Sequence, residues 1–402
     1  MTTLMLAAAA PGSMAIQPNE PEVRVLLLEA ASLPLAAQQQ PLVLRIGGQR
    51  LSLAAGEEVL LRLADGELVL ERSGGAERLP AARDIWLEPT SRPADGADFQ
   101  LKQRGYRGRL QVLVGGSGLL AINHVGLESY LPSVVGSEMP ASWPQAALRA
   151  QAVAARTYAL RQRKPADPFD LSATVTSQVY KGVDSETPST REAVVSTRGQ
   201  VLMFGSSLAN AVFHSSSGGA TENSGDLWSQ QLPYLVSVPD FDQASPVQAW
   251  QQRLEPEQLQ QAFAEIGGAQ RIDVLSNTST GRVREARVTG PSGTLVVSGA
   301  QLRSRLGLRS TMVRFEAVAS ELASELAALP PLPSLPERYQ MGGTQPQVQL
   351  PLPSLLAIGR GYGHGVGMSQ WGALGLAQRG QSYQQILSHY YRGTELRPYA
   401  SP

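Results

Sequence analysis

The feature that most constrains the fold of this chain is an alanine-crowded segment at residues 143–164, whose middle reads AALRAQAVAARTYAL. Ser142 and Gln145 have the spacing of a capping box, Pro144 falls in the first turn and Pro165 stops the segment, so the pattern predicts one helix. Because alanine side chains are small, neighbouring elements can approach this helix closely. We therefore expect it to lie at the centre of a tightly packed body.

Short strand patterns surround the helix. Within residues 22–101 the runs VRVLLLEA, LVLRIG, EVLLRLA and ELVLER are separated by Gly, Asp and Gln turns, which predicts a small antiparallel β module. RGRLQVLV and GLLAINHV follow, and further strands are predicted at residues 175–182, 199–205 and 208–215 and in RVREARVTG and GTLVVSG. The expected fold class is α+β: a strand-rich body around the alanine-rich helix, with N- and C-terminal segments converging on one groove.

Shifts in composition divide the chain into segments. The start of the chain holds a short apolar run, Leu4 to Ala10, without a positive n-region, which fits either a weak or truncated export signal or a disordered leader. The stretch QAWQQRLEPEQLQQAFAEI is helix-like, and a later Pro-, Leu- and Gln-rich stretch predicts an extended excursion. The predicted segments are a leader (1–21), the β module (22–101), a core (102–245), an α/β insertion or second lobe (246–318), the excursion (319–357) and a C-terminal block that completes the core (358–402).

Charge and cysteine content exclude several classes of protein. Acidic and basic residues balance at 34 each, so no overall field attracts nucleic acid, and no nucleic-acid partner is predicted. The absence of cysteine excludes disulfides and thiolate metal sites. No stretch after the leader approaches the roughly 18 apolar residues of a membrane span. The Gly-rich run at residues 359–372 lacks the lysine of a phosphate-binding loop, and no cofactor is predicted.

Glu138 is the first candidate for chemistry. It follows an apolar approach, LPSVVG, and precedes Met139 and Pro140 at the start of the alanine helix. Lost hydration among such neighbours disfavours a charged carboxyl, so we expect a raised pKa. A carboxyl that keeps its proton near neutral pH can act as the general acid in glycosidic cleavage. The spacing alone favours a surface loop acid without a catalytic role.

Histidines and aromatic residues are the other candidates. His214, His364 and His389 lie in different segments without ligand spacing such as HExxH, so satisfied or exposed histidines are expected rather than a metal site. His364 differs from the others because glycines flank it on both sides. The SSSGG run is not a G-x-S-x-G turn, which disfavours a serine hydrolase. Four aromatic residues fit either core packing or stacking on sugar rings: Trp143, Tyr180, Trp228 and Trp371.

Several segments together resemble the stage II sporulation protein D / LytB family of cell-wall proteins. They read LESYLPSVVGSEMPASWPQAALRAQAVAARTYAL, TSQVYKG, FHSSSGGATENSGDLW and GRGYGHGVGMSQWGALGLAQRGQSYQQILSHYYRGTEL. They occur in the family's order across residues 106–396, without the excursion, and the β module is not covered. The resemblance implies an exported protein of the periplasm or cell envelope that acts on the peptidoglycan glycan strand.

The activity that the resemblance implies is that of a lytic transglycosylase, a carbon–oxygen lyase that cleaves MurNAc–GlcNAc bonds in stem-peptide-free strands. Glu138, in an E-M-P signature, falls on the catalytic glutamate; it would protonate the bridging oxygen and then accept the muramoyl 6-hydroxyl proton, closing a 1,6-anhydro ring. One carboxyl can serve both steps, whereas a hydrolase normally needs two. The basic pair falls on Arg149, commonly lysine in the family, and Arg156. The remaining candidates for substrate binding are Tyr158, Gln178, Tyr180, Ser216, His364, Gln370 and Trp371.

The family also leaves alternatives open. Some members are amidase enhancers, so this chain is alternatively a non-catalytic glycan-binding protein that stimulates an N-acetylmuramoyl-L-alanine amidase as its partner. A purely structural envelope protein is a third option, but the dense C-terminal Gly/His/Trp motif fits it poorly. Some sporulation members bind zinc through cysteine and histidine near the segment that matches FHSSSGG. Serines replace those cysteines here, so the resemblance predicts no metal.

Overall fold

The computed structural model describes residues 20–91, 96–115, 118–318 and 353–399. They form two compact units, each considered by itself below. The first unit runs to Val212 and also includes residues 380–388 and those from Gly393 onward; the second contains residues 213–379 and 389–392. Strands predominate over helices in the described residues. The predicted strand-rich α+β class is confirmed.

Most strands are short and separated by tight turns. The described strands, in chain order, are β1 (Glu22–Ala30), β2 (Ser32–Ala37), β3 (Leu42–Ile46), β4 (Gln49–Leu53), β5 (Glu58–Ala64), β6 (Glu67–Arg72), β7 (Gly75–Arg78), β8 (Asp84–Pro89), β9 (Phe99–Leu101), β10 (Arg104–Tyr106), β11 (Arg109–Val114), β12 (Leu119–Gly126), β13 (Leu171–Ser172), β14 (Gln200–Phe204), β15 (Ser207–Leu208), β16 (Phe213–His214), β17 (Ala249–Leu254), β18 (Arg271–Asn277), β19 (Val283–Gly290), β20 (Gly293–Ser298), β21 (Val313–Val318), β22 (Ser354–Arg360), β23 (Met368–Ser369) and β24 (Glu395–Pro398). The described α-helices are α1 (Leu127–Glu138), α2 (Gln145–Arg161), α3 (Pro188–Ser196), α4 (Ser224–Leu227), α5 (Pro256–Ala262), α6 (Gly299–Leu306), α7 (Gln370–Gln378) and α8 (Tyr383–Tyr390).

Two large sheets form the body of the first unit. Their strand orders are β13-β1-β12-β11-β8-β3-β4 and β10-β9-β2-β5-β6-β7, and β15-β14-β24 forms a third, small sheet. Strand β3, LVLRI, alternates buried and half-buried positions, as expected when one face of a sheet packs on the core. β1 pairs with β12 along its length, so strands on both sides of the predicted boundary at residue 101 share a sheet. The division into domains stays a prediction.

Helix α2 occupies the alanine-crowded segment and packs against α1, α3 and β14. Most of its residues are buried, and alanine allows this close approach. The predicted capping box is wrong. Pro144 takes the N-cap position, without a side-chain cap bond, and the Gln145 amide donates instead to the carbonyl and hydroxyl oxygens of Ser189, both at 3.0 Å.

Other local predictions have mixed outcomes. Ser382 and Gln385 form a reciprocal capping pair at the start of α8, and Ser369 caps α7. The predicted strand at residues 175–182 is wrong, because the segment begins with a turn and continues without regular secondary structure. Helix α1 was not predicted; it forms despite an internal proline, Pro132, a residue that normally argues against a helix interior.

The second unit is built on two three-stranded sheets, β17-β22-β21 and β18-β19-β20, and a short parallel pair, β16 and β23. Its core includes Trp250, Phe263 and Leu302. The stretch predicted as helix-like begins as strand β17 and becomes helical only at Pro256. The predicted leader and excursion lie almost wholly outside the described residues; β22 begins at Ser354. No described helix is long and apolar enough to cross a membrane.

Candidate functional site

Glu138 is the last residue of α1, and its side chain is half-buried. Its Oε1 atom accepts a hydrogen bond from the backbone N–H of Val179 at 2.9 Å. Val179 belongs to the TSQVYKG segment, and because this segment is irregular rather than a strand, its N–H groups can point to a side chain. The structure thus gives the candidate acid a fixed partner within the same unit.

The TSQVYKG segment is anchored by two buried side chains. Gln178 accepts a hydrogen bond from the Tyr130 hydroxyl at 3.1 Å and donates to the Ala155 carbonyl at 3.2 Å. Tyr180 donates to the Asn123 amide oxygen at 3.0 Å. Both side chains are at most 2% exposed, so in the structure they hold the segment that carries Val179.

Tyrosines surround this arrangement. Tyr130 precedes Glu138 by eight residues, about two helical turns, so both lie on one face of α1. Burial, and next the charge of Glu138, hold the pKa of Tyr130 well above its usual value. Tyr158 on α2 is half-buried, and burial raises its pKa although a hydrogen bond with Ser177 acts in the opposite direction. These hydroxyls therefore stay neutral donors at physiological pH.

The two candidate arginines occupy different environments. Arg156 is fully buried and binds both carboxylate oxygens of Glu128 at 2.7 Å. Its guanidinium also donates to the carbonyls of Val194 and Gln200, both at 3.3 Å. It therefore joins α1, α2, α3 and β14, and a contact of Arg156 with substrate stays a prediction.

Arg149, on the first turns of α2, is half-exposed. It forms an ion pair of 3.1 Å with Glu192, whose side chain is 59% exposed. Such a surface pair contributes little to stability and can rearrange. Of the two arginines, Arg149 is the one whose charge a ligand can reach.

In the second unit, the Gly-rich run is fixed by its own histidine. His364 donates from Nε2 to the Phe213 carbonyl at 3.0 Å and accepts the Val366 N–H at Nδ1 at 3.1 Å. Burial lowers the pKa of His364 to about 4. Both ring nitrogens serve the backbone, so only the ring face and edge of this neutral imidazole can contact a ligand.

His214 lies beside His364, with ring centroids 5.3 Å apart. Its Nδ1 bonds the Val366 carbonyl at 3.1 Å, and burial lowers its pKa well below the usual value. Gly363 makes this approach feasible: its φ is +113°, and a Cβ there would lie 2.7 Å from the Cβ of His214. His389 does not join the pair; it bonds the Pro239 carbonyl and packs on Phe241.

The serines of the SSSGG run donate to buried carboxylates. Ser216, which is 2% exposed, donates to Asp242 at 2.5 Å, and Ser217 donates to Asp240. The backbone of Ser216 also exchanges hydrogen bonds with that of Tyr362 at 2.7 and 3.1 Å. This network fastens the SSSGG run to the Gly-rich run, and it places the predicted residue Ser216 in the interior.

The remaining candidates of the second unit lie at the start of α7. Gln370 is buried, whereas Trp371 is half-buried and donates its backbone N–H to the Ser215 carbonyl at 3.0 Å. Two aromatic rings near His364, those of Trp228 and Tyr362, are exposed. Trp228 is 38% exposed with its ring 5.7 Å from that of His364, and Tyr362, absent from the predicted set, is 47% exposed. The tyrosine of the GYGHG sequence was the available signal for it.

A family model described as stage II sporulation protein matches residues 115–204. This range contains α1, α2 and the TSQVYKG segment, and hence every predicted site residue of the first unit. The chain belongs to the stage II sporulation protein D family. The convergence of the two sets of family residues on one groove stays a prediction.

Curated relatives agree with this assignment. The chain is 28% identical to stage II sporulation protein D of Bacillus amyloliquefaciens over 86% of this chain and 94% of that protein. It is 29% identical to stage II sporulation protein D of Bacillus subtilis (strain 168) over 69% and 76%, respectively. It is 33% identical to the amidase enhancer of the same strain over 67% of this chain. That match spans only 40% of the amidase enhancer.

The zinc site of some sporulation members does not fit the residues present here. Zinc in proteins is bound by cysteine thiolates, histidine nitrogens and carboxylate oxygens, but here the run carries serine hydroxyls, which donate to Asp242 and Asp240, and both nitrogens of His364 bond the backbone. No group of three or more His, Asp or Glu side chains within the described part of the chain is placed to hold a metal ion.

Proposed function

We propose that this protein is a peptidoglycan lytic transglycosylase of the cell envelope that cleaves MurNAc–GlcNAc bonds in glycan strands free of stem peptides. Membership of the stage II sporulation protein D family supports a cell-wall function. The observation that carries the enzymatic proposal is the position of Glu138, partly exposed at the end of α1 and oriented by the Val179 N–H. A carboxyl that is held in place and open to solvent can exchange a proton with a bound sugar.

The proposed reaction uses this carboxyl twice. Because Oε1 of Glu138 accepts the Val179 N–H, the acidic proton resides on Oε2. Glu138 gives this proton to the bridging oxygen as the bond from that oxygen to C1 of MurNAc breaks. The resulting carboxylate takes the proton of the muramoyl 6-hydroxyl while the oxygen of that hydroxyl bonds to C1. One proton is given and one is regained, so a 1,6-anhydro end forms without consuming water.

The two arginines contribute differently to this proposal. Arg149, half-exposed on α2, supplies a positive charge for the muramoyl carboxylate or for charge that develops in the transition state. Arg156 acts as a positioning residue, because its ion pair with Glu128 fixes α1 against α2. Gln178 and Tyr180 likewise position the segment that donates to Glu138.

The second candidate function is stimulation of a cell-wall amidase by a glycan-binding protein. The relative named amidase enhancer favours it, at 33% identity over 67% of this chain. The exposed rings of Trp228 and Tyr362 suit sugar stacking under either function. Only the lyase requires a proton on Glu138.

The deciding experiment compares the wild-type protein with Glu138→Gln on stem-stripped glycan, with mass spectrometry of the products. Wild type should release anhydromuramoyl ends, and the variant should release about 10²–10⁴-fold less, the usual contribution of a general acid–base group. Glu67→Gln, which removes an exposed carboxyl in β6, is the matched control and should retain wild-type activity. Reducing ends would indicate hydrolysis, and the absence of products from wild type would favour the amidase-stimulating function.

A further inference from the structure

A groove outside the family-model match lies on the six-stranded sheet of the first unit. It has a volume of about 670 Å³ and runs over β2, β5 and β6 to the β9–β10 hairpin. We call it the sheet groove. Its apolar part includes Pro34 and Leu60, and its polar part includes Glu58, Lys102 and Gln103. Volumes of this order are typical of sites for small ligands.

The hairpin at the sheet groove has an unusual turn. Leu101 pairs with Arg104, so the turn consists only of Lys102 and Gln103, with φ of +47° and +65°. Left-handed backbone is unfavourable for such side chains, and two-residue turns of this kind prefer Asn-Gly, Asp-Gly or Gly-Gly. The corresponding β3–β4 and β5–β6 turns of the same unit follow that preference, with Gly-Gly and Asp-Gly. The Lys-Gln pair is therefore not explained by the backbone conformation that it adopts.

The charges at the sheet groove are of both signs. Glu58 on β5 and Lys102 are exposed, and no ion pair or side-chain hydrogen bond engages either of them within the described residues. The other charges at the groove already have partners: Glu71 pairs with Arg62, and Arg72 pairs with Glu57. A ligand that carries both an amine and a carboxylate complements Glu58 and Lys102.

The rest of the lining favours a peptide over a sugar. None of the described residues that line the sheet groove is aromatic, and aromatic faces are the usual platform for sugar rings. The amide side chains of Gln100 and Gln103 can instead bond peptide groups, which offer one donor and one acceptor per residue. Pro34 and Leu60 provide an apolar surface for short side chains.

We infer that the sheet groove binds a short peptide that carries a free amine and a free carboxylate, using Glu58 and Lys102 as its charged contacts. In a cell-wall protein this ligand is the stem peptide of intact strands; that identity rests on the proposed function, whereas the amine and carboxylate chemistry does not. Binding there would hold the protein on peptide-bearing wall next to the bare strands that it cuts.

The test uses the full chain with Glu138→Gln, so that glycan cutting does not interfere. The probe is the stem tripeptide L-alanyl-γ-D-glutamyl-meso-diaminopimelate, titrated calorimetrically. The double change Lys102→Asn with Gln103→Gly installs the preferred turn, so it should raise the Tm and weaken tripeptide binding at least tenfold. Glu58→Gln should weaken binding without the rise in Tm. Asp65→Asn, in the β5–β6 turn, is the control and should bind as the parent does.

Several results would overturn this inference. They are no binding of the tripeptide to the parent, equal binding by the double variant, and binding of stem-stripped glycan that the double variant loses. The fate of the proposed lyase is read separately, from anhydromuramoyl ends released from stem-stripped glycan by the chain that retains Glu138. If the groove does not bind the tripeptide, the proposed lyase activity is unaffected. If the chain with Glu138 releases no anhydromuramoyl ends, peptide binding by the groove can still be measured.

Discussion

The backbone segments around Glu138 and around His364 are held in place by different kinds of side-chain contact. Behind Glu138 the support is ionic: Arg156 and Glu128 form a buried pair at 2.7 Å. Around His364 the imidazoles bond the backbone and serine hydroxyls donate to buried carboxylates, while the buried ion pair of this region, Arg282 with Glu222, is longer at 3.8 Å. Most polar side chains of the segments that resemble the family therefore hold the backbone in place and are not available to a ligand. Only a few candidates, Glu138, Arg149 and Trp371 among them, keep a half-exposed side chain that a ligand can reach.

Removal of Arg156 should have the largest effect on folding. Arg156→Ala leaves Glu128 buried without its partner, which costs about 3–5 kcal/mol in cases of this kind. Urea unfolding followed by circular dichroism measures the loss. The double variant Glu128→Leu with Arg156→Met removes both charges and should recover most of the stability, since an apolar pair of similar volume is often neutral. A loss below about 1 kcal/mol for Arg156→Ala would contradict the ionic account of this region.

Removal of Ser217 should have a smaller effect in the second unit. Ser217→Ala deprives Asp240 of one donor, although the Tyr390 hydroxyl still donates to the other oxygen. The expected loss is about 1–3 kcal/mol in the free energy of unfolding. Ser215→Ala is the control, because Ser215 contributes its backbone carbonyl. Equal stabilities for the two variants would show that the serine–carboxylate bonds do not hold this region.

These contrasts also explain what the sequence could reveal. The alternation in LVLRI and the alanine segment ended by Pro165 report local periodicity, and both elements formed where predicted. Helix α1 was missed because Pro132 argues against a helix in any local reading. The TSQVYKG segment was misassigned as a strand, because its Val and Tyr favour strands, yet Tyr180 is held by Asn123, 57 residues away. Partnerships at such separations, like that of Arg156 with Glu128, leave no local pattern.

Mild acid should lower the stability of the region around His364. The folded-state pKa of His364 is about 4, below the ordinary value of 6.5, because of burial. Between these values the unfolded chain binds a proton that the folded chain does not, so stability is full above pH 6.5 and is lost as the pH falls toward 4. The slope contributed by one such histidine is at most about 1.4 kcal/mol per pH unit, and His214 adds in the same direction.

Unfolding curves at several pH values test this expectation. His364→Gln removes the titrating ring, so the pH dependence of its stability should be shallower than that of wild type. His389→Gln is the control, since His389 is only half-buried and bonds the Pro239 carbonyl away from His364. An unchanged slope in His364→Gln would mean that other groups govern the acid response.

Removal of Arg149 should have the smallest effect on stability, because this side chain lies on the part of the Glu138 region that a ligand can reach. Its pair with Glu192 is exposed, so Arg149→Ala should cost less than about 1 kcal/mol of unfolding free energy. If its charge meets substrate, release of anhydromuramoyl ends should nevertheless fall by about tenfold or more. Glu192→Gln removes the partner but keeps the arginine, and it should leave the rate intact. A variant of Arg149 that lost stability but kept its rate would assign this arginine, like Arg156, to the framework.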